Sequence, residues 1–300
     1  MSILAVGSVA FDCVKTPFGK AENVVGGSCT YFSIAASFFT DVNLVAVIGE
    51  DFDEKAMKVF ENRRINLEGL EKKPGKTFRW EGEYPEDNIN EAVTYATDLN
   101  VFMDFAPKIP EKYRNSRVLF LANIDPDLQG SVLKQIPSAS LISCDTMNHW
   151  INDKRESLEK ILKNIDLLVI NDGETKLLSG EKNLICACEK ILDFGVKKII
   201  SKKGEHGAVF MSKDTIFTVP SYPHKNVVDP TGAGDTFAGG LIGYIDSIND
   251  YSDNAIKKGI IYGTTVASFT IEDFSMNRLL QLNKSDIDKR FEEFSNLMKF

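Results

Sequence analysis

The densest group of chemistry-bearing residues in this chain is the run Asp229-Pro230-Thr231-Gly232-Ala233-Gly234-Asp235, which leads into Thr236-Phe237-Ala238-Gly239-Gly240. Small residues ahead of a helix leave backbone N–H groups unpaired at the positive end of the helix dipole, where an anion fits. A carboxylate beside such an anion hole works against simple phosphate binding. It makes sense if Asp235 takes the proton of a hydroxyl attacking that phosphate, with the amides of Gly232, Ala233 and Gly234 as the hole. The bland alternative is a glycine-rich turn with an acidic helix cap. The order of residues here, followed by a small-residue helix, is more specific than that.

Other residues are candidates on weaker grounds. Asp12 follows the Gly7-Ser8 turn inside an alternating apolar stretch, as a solvated edge charge or as a ligand for substrate hydroxyls. Gly26-Gly27 precedes a helical stretch and lets backbone amides approach a ligand, or simply makes a turn. Asn123 and Asp125 close an apolar strand at its carboxyl end, where open α/β sheets bind ligands. Asn171 and Glu174 have the spacing of a helix capping box. Lys202, before the Gly204 to Gly207 turn, is either a point charge for a phosphate or a solvated strand end. His149 has no partner at a useful spacing and reads as structural.

The elements that must hold these residues alternate. Apolar strands at residues 3–6, 43–49, 118–123, 141–145 and 167–170 are separated by helical stretches, which predicts a mostly parallel sheet. A helix is expected from about residue 50 to Arg64, another at residues 256–270 and a charged amphipathic one from Lys284 onward. Residues 76–105 break the rhythm with two strands around a polar loop at residues 85–90. Together with residues 11–25 they predict a small projecting sheet, whose exposed edges invite a partner. Trp80 and Arg79 on it would line the substrate or pack in a dimer.

Composition bounds the rest. Three hundred residues, 43% hydrophobic and 26% charged, bury a substantial core. A net charge of −8 with a pI near 5.1 argues against a nucleic-acid surface. Five cysteines without zinc spacing, and no signal peptide, point to a reducing cytoplasm. No apolar run reaches the ~20 residues needed to cross a bilayer.

The run from Asp229 to Asp235 resembles the signature of the ribokinase-like (PfkB) family of sugar and nucleoside kinases, and the resemblance extends from about Gly7 to near Phe274. It implies one kinase domain over residues 1–300, an α/β/α core with a mostly parallel sheet, and a β-sheet lid inserted at about 11–25 and 76–105. It implies transfer of the ATP γ-phosphate to an alcohol, with Asp235 as base, and a lid that often forms a homodimer. By the same resemblance Asp12 would grip two sugar hydroxyls, with Gly26 and Gly27 beside it, while Asn123 is a substrate candidate from its strand end alone. Asn171 and Glu174 would orient hydrated Mg²⁺. Lys202, Gly204, Gly207 and Thr231 would meet the nucleotide, and the Asp145-x-x-Asn148 turn would lie along the phosphate track. Family members often need a monovalent cation such as K⁺, for which Asp229 is the candidate. Two positions depart from the pattern: Tyr31 replaces a substrate-facing Asn, and Lys202 a common Thr. Tyr31 could instead stack on a ring, which with Trp80 favours a nucleoside acceptor. A pentose or hexose kinase stands close behind, a sugar-phosphate kinase further off, and a non-catalytic sugar or nucleoside sensor is the reading from another class.

Overall fold

The computed structural model describes residues 2–136 and 138–299. Its main sheet has nine strands: β1 (Ser2–Val6), β4 (Asp41–Ile48), β5 (Ile65–Lys72), β8 (Val118–Leu121), β9 (Leu141–Cys144), β10 (Leu167–Asn171), β11 (Lys198–Lys202), β12 (Ala208–Ser212) and β13 (Ile216–Val219). Their order is β13-β12-β11-β10-β9-β8-β1-β4-β5. All neighbouring pairs from β5 to β11 are parallel, and the β12–β13 end is antiparallel.

The central strands read as unbroken Val, Ile and Leu because both of their faces are covered. In β1, Ile3 and Ala5 point into one layer and Leu4 and Val6 into the other. The first layer holds the helices Ser28–Ser37, Ala233–Ser247 and Asp253–Thr270. The second holds Pro126–Leu133, Arg155–Leu162 and Leu184–Asp193.

The second sheet has four strands, ordered β3-β2-β6-β7, with β2 (Ala10–Thr16), β3 (Gly19–Gly26), β6 (Phe78–Glu83) and β7 (Val93–Asp98). These are the two segments expected to project. Arg79 is spent within this sheet's base: it pairs with Asp51 at 3.0 Å, bonds Asn23 and lies over the Phe11 ring. Trp80 Nε1 donates across the sheet to Thr94 Oγ1 at 3.1 Å.

Two expectations about elements need correction. The helix expected to reach Arg64 is only Glu54–Met57, followed by a 3₁₀ turn at Lys58–Phe60. Asn62, with φ 55, turns the chain into β5, whose Ile65 and Leu67 gain more by packing on the core beside β4. The edge strand β13 was not anticipated. Its four residues, exposed at Ile216 and Thr218 and turned inward at Phe217 and Val219, are too few to register as a period.

Candidate active site

Parallel order puts the carboxyl ends of adjacent strands in one row. Asn123 and Asp145 follow β8 and β9, while Asn171 and Lys202 end β10 and β11 and stand opposite each other in register. The helix Ala233–Ser247 begins at the same edge, so Gly232, Ala233, Gly234 and Asp235 join the row from the other layer.

The lid side carries Asp12. The β2–β3 register slips between Asp12 and Val14, a bulge of the kind that re-aims a side chain. Asp12 is 5% exposed, and burial pushes its carboxyl up to about 8, with the charges of Asp229 and Asp235 adding to the rise. The Gly27 backbone offsets part of this by hydrogen bonding to it. Gly26 has to be glycine because any Cβ there would overlap the Asp12 carboxylate.

Tyr31 does not serve the role expected of it. At 1% exposure its ring is buried in the core, directly beneath Gly232. A Cβ at Gly232 would overlap that ring, and the residue's φ of 71 favours glycine. Tyr31 therefore supports the turn and offers no face to a substrate ring. Its helix carries no charged residue and is buried from Cys29 to Ser37, so Tyr31 is held inside.

Of the three amides expected to form an anion hole, one is already engaged. Ala233 N donates to Pro230 O at 3.1 Å, closing the turn before the helix. The amides of Gly232 and Gly234 have no partner among the described residues. Beside them, burial pushes the Asp235 carboxyl up to about 7, with the charge of Asp145 raising it further and Lys202 pulling it down.

Lys202 is not a solvated strand end. Its ammonium lies 3.9 Å from Asp145 Oδ2, and a methyl on Gly234 would stand 2.8 Å from Nζ. Burial alone would lower its pKa, but Asp145, Glu174 and Asp235 outweigh that and hold it raised and charged. Burial likewise raises Asp145, against the pull of Lys202.

Asn171 and Glu174 form the capping box: Asn171 Oδ1 accepts from Glu174 N at 2.7 Å, and Glu174 Oε2 from Asn171 N at 2.8 Å. Burial and then Asp145 raise the Glu174 carboxyl to about 7. The cap occupies one oxygen of Glu174 and leaves Oε1 over. Three carboxylates, Asp145, Glu174 and Asp235, thus share one ammonium. Among the described residues no three acidic, His or Cys side chains lie close enough to ligate a metal directly, so a divalent cation here would be held through its waters.

Asp229 is 1% exposed, with Oδ1 accepting from Thr231 N at 2.9 Å and Oδ2 from Ser275 N at 2.8 Å. Burial raises it. Among the described residues the buried hydroxyl of neighbouring Thr231 meets no partner in full hydrogen-bond geometry.

A cavity of about 440 Å³ runs from Lys202, Gly204, Gly207 and Gly234 to Thr264, Ala267 and Ser268, a size in the range of small-molecule sites, ~300–1,000 Å³. Its far wall includes Tyr222 and His224, which sequence reasoning missed. Burial lowers the His224 pKa, keeping the imidazole neutral. Arg290 braces this wall, bonding Glu272 at 2.7 Å and Ser268 Oγ at 3.1 Å while stacking on Phe269. Two lid residues were also missed. Tyr84 reaches the acidic cluster, and burial with Asp229, Asp12 and Asp235 raises its phenol. Asn90 lies over Gly204. Asn123 sits at the cleft rim, but its Oδ1 is taken by Trp150 Nε1 at 2.9 Å. Asp125 caps the helix Pro126–Leu133, and His149 pairs on the surface with Asp153.

Comparison with known proteins bears on the fold and the family. A cytidine kinase of Thermococcus kodakarensis is 27% identical over 256 residues, covering 81% of this chain and 88% of that protein. The nucleoside kinase of Burkholderia thailandensis, solved in complex with inosine, superposes with a TM-score of 0.81 at 19% identity, covering 98% of this chain and 99% of the other. An Escherichia coli protein described as a ribokinase II, solved with ATP and Mg²⁺, gives a TM-score of 0.81 at 18% identity over 97% and 99%. The profile of the pfkB family carbohydrate kinases matches residues 2–281. With a match over nearly its whole length, the chain belongs to the pfkB family of carbohydrate kinases.

Proposed function

We propose that this kinase transfers the γ-phosphoryl group of ATP to a ribose hydroxyl of a nucleoside, with Asp235 as the general base. The observation that carries this reading is a buried carboxylate on the lid side, Asp12, and a half-buried one at the helix start, Asp235, close enough that the charge of Asp235 adds to the rise of Asp12. Asp12, which gives up its proton as the acceptor hydroxyls bind, then accepts from two hydroxyls of a diol and so fixes which hydroxyl faces Asp235. Asp235 takes the proton as the new O–P bond forms and the bond to the β-phosphate oxygen breaks, releasing ADP. The free amides of Gly232 and Gly234 face the charge that builds on the phosphoryl oxygens, and Lys202 adds a point charge. Asn171 and Glu174 would hold Mg²⁺ through its waters, and Gly204, Gly207 and Thr231 would line the nucleotide. The ion supplies neutralisation of the phosphate charge.

The relatives described as cytidine and nucleoside kinases support a nucleoside acceptor. A free pentose is the second reading, favoured by the burial of Tyr31, which removes one stacking face. Asp229 is a buried carboxylate that no cationic side chain pairs with among the described residues, so it suits a K⁺ ion held also by backbone carbonyls. All six residues of β7 are exposed at the lid's edge, which supports a homodimer through the lid. Among the described residues no helix is long and apolar enough to cross a membrane.

The test is ATP consumption over nucleosides, pentoses, hexoses and sugar phosphates, in K⁺ and in a K⁺-free buffer. The expected result is turnover of a nucleoside, stimulated by K⁺. Turnover confined to free sugars would replace the acceptor, and turnover of none would remove the reading.

A further inference from the structure

The loop joining β6 to β7 does more than connect two lid strands. At one end Tyr84 N donates to Lys15 O at 2.9 Å and its ring packs beside Trp80, where burial and the charges of Asp229, Asp12 and Asp235 raise its phenol. Five and six residues later, Ile89 and Asn90 form part of the wall of the 440 Å³ cavity that Lys202 and Gly234 also line. One short strap therefore crosses both halves of the cleft.

Asn90 has no structural reason to be where it is. It is exposed, and neither end of its carboxamide is hydrogen-bonded to any described residue. Yet the carboxamide lies so close over Gly204 that a Cβ there would overlap it, with the oxygen nearer and the nitrogen turned further away. Gly204 has φ 53. The turn it belongs to, at the end of β11, is shaped to receive a side chain from the other sheet. A carboxamide offers two N–H donors without a charge, and it stands at the end of the cavity where Lys202 and the free Gly234 amide already gather donors.

We propose that Asn90, carried on the lid, is a nucleotide-binding residue that donates its side-chain amide to a phosphate oxygen of the bound nucleotide. The strap then closes on the phosphate donor as well as on the acceptor, and nucleotide alone is enough to order it. This rests on the kinase reading above and adds to it a residue that belongs to the lid rather than to the core.

The test needs no acceptor. The affinity for Mg²⁺ with a non-hydrolysable ATP analogue is measured by calorimetry for the wild type, Asn90→Ala and Asn90→Asp. Hydrogen exchange of residues 84–91 is followed in the wild type with and without the analogue. Losing one donor weakens binding about 5–20-fold in Asn90→Ala, at an unchanged melting temperature. Asn90→Asp binds more weakly still, because its charge opposes the phosphates. The analogue slows exchange across residues 84–91. Unchanged affinity in Asn90→Ala, an Asn90→Asp variant no weaker than the alanine, or unaltered exchange would each overturn the assignment while leaving the kinase intact. A wild type that binds no analogue at all would instead remove the kinase reading.

Discussion

Asp235 and Asp12 are both carboxylates pushed upward by burial, but for different uses. Asp235 must be ionised to accept a proton. With its carboxyl raised to about 7, kcat/KM should fall about tenfold per pH unit below that value and level off above it. A rate profile flat down to pH 5 would contradict this. Asp12 tests the cost of keeping a binding carboxylate in a dry place. Its folded value, about 8, lies above its ordinary 3.8. Between those values the folded chain holds a proton that the unfolded chain has released. The associated stability is therefore complete below the lower value and is lost as pH rises through the upper one. Asp12→Asn carries no such proton, so it should raise the melting temperature by several °C more at pH 8 than at pH 5 while abolishing acceptor binding. An equal shift at both pH values in thermal melts would show that Asp12 is not buried in this way.

The elements matter because each delivers one residue to a shared edge. Asp235, Lys202, Asn171 and Glu174 were legible in the sequence, because strand ends and helix starts announce themselves by an apolar run meeting Gly, Asn or Asp. Tyr31 was misread, since nothing in one dimension shows that its helix faces the underside of the Gly232 turn. Tyr84, Asn90 and His224 were missed for a related reason. They come from loops whose position is set by the strands flanking them, and their types carry no motif. The β5 strand was lost because a left-handed Asn62 breaks what reads as a continuing helix. Where Gly232 rests on Tyr31, substitution is informative. Gly232→Ala forces a Cβ into the ring at positive φ, costing about 1–2 kcal/mol for the backbone alone. Both the melting temperature and kcat should drop, because the amide of residue 232 is displaced. Loss of stability in a calorimetric melt with kcat untouched would mean that this amide does not face the phosphate.

Across the whole molecule, the helix that carries Asp235 is anchored far from the cleft. Its other end holds Asp246, which is fully buried. Arg117 donates to it at 2.8 and 3.1 Å, Thr40 at 2.6 Å and Tyr251 at 3.3 Å. These partners come from the approach to β8, from the segment before β4 and from the chain just beyond the helix itself. Removing the carboxylate strands the Arg117 guanidinium, an effect of about 3 kcal/mol. Asp246→Ala should lower the melting temperature by about 5–10 °C while leaving KM for both substrates nearly unchanged. A large change in KM with normal stability would place the anchor in the catalytic machinery instead. The layered core was legible from strand alternation, whereas this polar tie was not, because its members are scattered over more than two hundred positions.

The central claim is that Asp235 acts in the chemical step and not in holding nucleotide. The most direct measurement compares Asp235→Ala with the wild type in single-turnover phosphoryl transfer and, separately, in binding of Mg²⁺ with a non-hydrolysable ATP analogue. The account predicts a loss of about 10²–10⁴-fold in the transfer rate with analogue affinity within a few-fold of normal. A variant that transfers phosphate at near the wild-type rate would contradict it, and the base would have to be sought elsewhere in the cleft.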